Sequence, residues 1–143
     1  MTIKDFKTEL KNWRLTRYKL INFSISLSAV LVYEFIGRRI YRPYIYANGI
    51  NDFHVADTLG NSLGTIATIF FLVALFSNDV FKGKYLIKLV TFSVILYEVA
   101  HPLLGKPIDI WDIVATVITG AISYLVYNLI FNSRRPGNVE RNS

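Results

Sequence analysis

The chain has 143 residues, of which 52% are hydrophobic, with a formal net charge of +6 and a mean hydropathy of +0.36. That apolar share is high for a soluble domain, and segments 66–76 and 113–131 lack the charged face that a soluble four-helix bundle presents to water. Cysteine is absent, which excludes a disulfide framework and thiol chemistry.

Residues 1–18 read as a cytoplasmic basic amphipathic segment. Ile3, Phe6, Leu10 and Trp13 recur at helical spacing, with Lys4, Lys7, Lys11 and Arg14 between them, and Thr2-x-x-Asp5 resembles a capping box. A segment of this kind lies along the inner leaflet, its apolar face in lipid and its lysines near anionic headgroups. Four apolar runs follow at about 20–37, 58–77, 85–104 and 110–131, each close to the roughly 20 residues that cross a hydrocarbon core. The first has a long basic leader and no Ala-x-Ala-like site after it, so it reads as a retained span rather than a signal peptide. Residues 132–143 are polar, lack periodicity and contain Pro136-Gly137, and they read as a disordered cytoplasmic tail.

These elements predict an all-α integral membrane protein. Its domain, residues 19–131, consists of four transmembrane helices arranged as two tandem helical hairpins. Twelve of the sixteen Lys and Arg residues fall on the side of the two termini and of the Lys82–Lys84–Lys88 connection. Arg38, Arg39, Arg42 and Lys106 fall on the other. The bias predicts a multi-pass protein with both termini cytoplasmic, and a bacterial plasma membrane is the expected location. Topology thus accounts for the basic charge, and no nucleic-acid motif competes with it.

The hairpins share a phrase. Leu31-Val-Tyr33-Glu34-Phe35 returns as Ile95-Leu-Tyr97-Glu98-Val99. Each is followed by an acidic start of the next run: His54-x-x-Asp57-x-x-x-Asn61, then Asp109-x-x-Asp112-x-x-x-Thr116. The internal repeat predicts one outward pocket lined by Glu34, Asp57, Asn61, Glu98, His101, Asp109, Asp112 and Thr116. A charge in hydrocarbon costs at least about 2.5–3.5 kcal/mol, so these groups face the interior or the headgroup level. Plainer readings stay open. Asp57 and Asp112 suit helix N-termini, Glu34 can pair with Arg38 one turn on, and His54 suits a solvated loop.

Several chemistries fit the residue types. His54, Asp57, Glu98, His101 and Asp112 are suitable ligands for zinc or a similar ion, although neither a His-Glu-x-x-His motif nor a cysteine cluster supports a metal. Arg38, Arg39, Arg42 and Lys106 suit headgroup phosphate, and arginines beside a span also act as snorkelling anchors. Ser62 and Ser123 lie in spans without a nucleophile elbow, which disfavours a Ser–His triad. Gly60-x-x-x-Gly64 and Thr116-x-x-x-Gly120 predict close helix seams, through which the chain could pair with itself or another membrane protein.

The stretch Tyr97-Glu98-x-x-His101 through Asp109-x-x-Asp112-x-x-x-Thr116 and Gly120 resembles the VanZ-like membrane proteins. Glu98, Asp109 and Asp112 match that pattern directly and Lys106 stands near the family's arginine, while His101 replaces a Gln and Thr116 an Asn. Glu34, His54, Asp57, Asn61 and Gly64 follow the pattern in complementary form, with His54 at the first Asp position. The resemblance implies a small polytopic cell-envelope protein, in a family partly linked to glycopeptide antibiotic resistance. It names no catalytic residue or cofactor. The expected function is binding or accessory, with the lipid bilayer and an envelope lipid, glycolipid or lipophilic antibiotic as partners. The alternatives are a membrane-embedded hydrolase or transferase using Glu98, His101 and Asp112, and a structural subunit of a larger complex.

Overall fold

The computed structural model describes residues 15–77 and 79–132. The expected amphipathic segment falls almost wholly outside the described residues, as does the expected tail. Among the described residues every regular element is helical.

Helix α1, Arg17–Leu31, begins where the Thr16 side chain accepts a hydrogen bond from the Lys19 amide at 3.3 Å. It continues without a break through a π-helical stretch, Val32–Tyr41, into α2, Arg42–Asn48. Pro43 supplies the local reason for irregularity. It lacks an amide hydrogen, and its ring crowds the preceding turn, so a regular α ladder cannot run through it. The continuous helix spans 32 residues and ends at Gly49, whose φ of +59° forms the left-handed cap. The expected end at residue 37 is therefore corrected: the helix continues through Tyr41, Tyr44 and Tyr46 to Asn48.

Helix α3, Val55–Phe76, starts after Phe53 and His54, both held at positive φ (+55° and +64°). These non-glycine residues occupy a sparsely populated region, and neighbouring contacts must hold them there. Helix α4, Val80–Val99, is capped by Asp79, which accepts from the Lys82 amide at 2.7 Å. A short 3₁₀ turn, His101–Leu104, and left-handed Gly105 lead to α5, Ile110–Asn132. The predicted run 85–104 is thus shifted. Its helix begins earlier at the Asp79 cap and stops before Pro102, which cannot continue an α ladder.

Helix α3 is the axis of the molecule, packed against α1, α4 and α5, while α4 and α5 also pack on each other. One end of the bundle holds the apolar core, built from Ile69, Phe70, Val73, Leu86, Ile87, Val90 and Tyr127. Gly83 lets this end close, because a Cβ there would overlap the Tyr127 ring and hydroxyl. The interior also holds polar groups: Asn22, Thr65, Thr116 and Ser123 are buried, whereas Phe92, Ile118, Leu125 and Leu129 are exposed. Such an inside-out distribution suits lipid rather than water. Three helices are long and apolar enough to cross a membrane: Arg17–Asn48, Val55–Phe76 and Ile110–Phe131. They are the helices of a membrane protein. Helix α4 falls short of that composition because Lys82, Lys84, Lys88 and Glu98 lie within its twenty residues.

Candidate functional site

The end of the bundle opposite the core carries the carboxylates. Asn61 on α3 donates from Nδ2 to the Asp112 carbonyl at 3.1 Å and to Thr116 Oγ1 at 2.9 Å, both on α5. Asn61 and Thr116 are matching positions of the internal repeat, so the two hairpins meet at their own equivalent residues. Thr116 is fully buried, and the Asp112 Oδ1 is a buried acceptor without a hydrogen-bond partner among the described residues. Asp109 has a different task. Its Oδ1 accepts from the amides of Trp111 at 2.9 Å and Asp112 at 3.4 Å, which makes it the cap of α5.

Glu98, at the last turn of α4, is only 4% exposed. Its Oε2 lies 3.1 Å from His101 Nδ1, three residues on. This separation permits an ion pair, yet the two groups are misaligned for a hydrogen bond, and Oε2 counts as a second buried oxygen without one. Glu98 is within electrostatic reach of Asp109, Asp112 and Lys106. The Tyr97 ring meets the His101 ring edge-on at 4.8 Å, which fixes the imidazole plane. Lys106 itself is exposed in the connection that follows.

Asp57 belongs to a more solvated neighbouring group. It accepts from the Tyr46 hydroxyl and lies 3.2 Å from His54 Nδ1, with both side chains about half exposed. The His54 ring stacks on Trp111 at 5.0 Å, tying the start of α3 to the start of α5. Arg42 reaches Tyr46 Oη at 3.3 Å and Tyr33 Oη at 3.5 Å. Asp52 accepts from the Ala56 amide at 2.7 Å and from Tyr41 Oη at 3.0 Å, so it, rather than Asp57, caps α3.

The repeated Tyr-Glu phrase does not repeat in space. In the second copy Glu98 turns inward and Tyr97 outward. In the first, Tyr33 packs over Gly60, while Glu34 pairs with exposed Arg38 at 3.5 Å. The two copies sit in different local backbones, a π-helical stretch for Tyr33-Glu34 and a regular α-helix for Tyr97-Glu98, and they meet different neighbours. Glu34 is thus a surface ion-pair partner. Arg38 and Arg39 also stay outside, with the Arg39 guanidinium 5.2 Å above the Phe35 ring.

The five metal-ligand candidates divide accordingly. His54–Asp57 and Glu98–His101 form separate pairs, and among the described residues no three His, Asp or Glu side chains converge as a metal cluster. Sequence reasoning overlooked Tyr33, Tyr46, Asp52 and Trp111. The first lay inside the repeated phrase, and Asn51-Asp52 before an apolar run is an ordinary capping signal. No protein family, curated protein or solved structure matches this chain.

Proposed function

We propose that this chain is a VanZ-like multi-pass protein of the bacterial plasma membrane, with α4 as a fourth span and both termini cytoplasmic. Asn61, Glu98, His101, Asp112 and Thr116 then form an outward pocket for the polar head of an envelope lipid, glycolipid or lipophilic antibiotic. The role is binding or accessory rather than catalytic. One observation carries this reading: Glu98 Oε2 and Asp112 Oδ1 are both buried acceptors without hydrogen-bond partners among the described residues. Buried acceptors ordinarily have donors, and a ligand rich in hydroxyl or amine groups supplies them once it displaces the side chains that cover the two oxygens. The Asn61 bridge supports the same reading, since it holds the two helix starts at a fixed separation beneath the pocket. Lysines on α4 do not forbid a span, because their long stems let the ammonium groups reach the interface.

Native mass spectrometry of the detergent-purified chain, with elemental analysis of the same sample, tests the proposal. A stoichiometric lipid or glycolipid that disappears in Glu98→Gln is the expected result. A Glu98→Gln variant that retains every adduct of the parent chain would overturn the pocket. A second reading, a membrane-embedded hydrolase or transferase using Glu98, His101 and Asp112, draws on the 3.1 Å Glu98–His101 contact. Under it, Glu98→Gln abolishes turnover while the fold survives.

A further inference from the structure

Helices α4 and α5 diverge on the side away from α3 and leave a groove of about 610 Å³. Its walls are Thr91, Phe92 and Ile95 from α4 and Gly120, Ala121 and Leu125 from α5. The floor is shaped by Gly120, where a Cβ would run into the Thr91 side chain, so the helices touch there and part around it. Toward the Lys82 end, Lys84 and Lys88 occupy successive turns of α4. Their ammonium groups lie 5.5 Å and 6.0 Å from the centroid of one ring, Tyr124. Neither lysine has a carboxylate partner among the described residues. Two like charges beside one ring repel each other, and a shared anion between them reverses the sign of that interaction.

We infer that this groove is a binding site for one anionic phospholipid, its phosphate held between Lys84 and Lys88 and an acyl chain laid along Phe92, Ala121 and Leu125. The apolar groove matches the chain and the basic mouth matches the head, a combination that neither a soluble anion nor a neutral lipid satisfies at both ends. Basic pockets between membrane helices hold anionic headgroups in this manner. The orientation proposed above places the site in the cytoplasmic leaflet. It is separate from the carboxylate pocket and stands without it.

The test titrates the detergent-purified full chain with phosphatidylglycerol or phosphatidylcholine and reads retained lipid by native mass spectrometry. One retained phosphatidylglycerol and little phosphatidylcholine are expected. Lys84→Gln with Lys88→Gln reduces that retention by about thirtyfold, the scale of two basic residues at an anionic surface. Ala121→Trp, which fills the groove, reduces it as well, and Phe92→Ala removes a wall with the same readout should the tryptophan perturb the fold. Retention that falls in Glu98→Gln but not in the double lysine variant would assign the lipid to the outward pocket and overturn the groove, so failure here is distinguishable from failure of the outward pocket. Equal retention of the two lipids would overturn the site, as would undiminished retention in the double lysine variant or in both groove variants. A dimer that carries no lipid and dissociates in Ala121→Trp would assign the groove to a second copy instead.

Discussion

At Gly83 the absence of one carbon decides how closely α4 and α5 meet. Any Cβ there would overlap Tyr127, whose hydroxyl lies 3.4 Å from both Ser77 Oγ and the Asp79 carbonyl at the start of α4. Gly83→Ala should therefore destabilise the protein by about 1–3 kcal/mol, the usual cost of overpacking. Tyr127→Phe should cost about 1 kcal/mol through the lost hydroxyl contacts. The double variant should be more stable than the sum of the two losses, because the shorter ring relieves part of the clash. Thermal unfolding in detergent of all four proteins completes the cycle, and strict additivity would mean that Gly83 and Tyr127 do not press on each other. At the other end of the bundle the two repeat-equivalent residues Asn61 and Thr116 are bonded to each other. Asn61→Leu should cost about 1 kcal/mol, within the range of interhelical hydrogen bonds in membranes.

Among the elements, α4 is the one whose proposed place in the membrane rests most on its neighbours. Its lysines lower its own preference for lipid, and Gly83, Leu86, Ile87 and Val90 bury one face against the rest of the bundle. In isolation it should insert poorly. Lys88→Leu should favour insertion of the isolated segment by about 3 kcal/mol, the spread between the two residues near a helix centre on insertion scales. A glycosylation reporter carrying residues 80–99 measures this, and unchanged insertion would show that Lys88 already reaches the interface without cost. The long first helix behaves differently. It has ample apolar length, and the π stretch followed by Pro43 sets which of its side chains look inward.

For the whole molecule, the proposed orientation makes a simple prediction because the chain contains no cysteine. Single Asn48→Cys and Lys106→Cys variants should react with an impermeant thiol reagent in intact cells, and Lys82→Cys should not. The reverse pattern would invert the bundle and turn the carboxylate pocket inward. The inside-out distribution of side chains belongs to this scale as well. Ser26 on α1 donates to the Ala67 carbonyl on α3 at 2.8 Å, and Asn61 bridges α3 to α5, so polar contacts join helices whose outer faces are apolar. Between lipid-facing helices the hydrophobic effect contributes little, and close packing with a few hydrogen bonds holds them together.

How far this was legible in the sequence depends on whether a property is local. Apolar runs are local, so the chain alone determines helical class and three of the apolar helices. Caps depend on loop geometry, and Asp52 and Asp109 take the places expected for Asp57 and Asp112. The repeat could also be read directly, and it placed Asn61 and Thr116 in one expected pocket, whereas their hydrogen bond came only with the structure. Which carboxylate enters the interior was not legible. Glu34 and Glu98 sit in nearly the same phrase, yet one pairs with Arg38 on the surface and the other is buried beside His101. A side chain's azimuth around a helix depends on every turn before it and on the helices packed against it. Glu34 lies in the π-helical stretch of the first helix and Glu98 in the last turn of α4, and only the tertiary packing decides which of them faces inward.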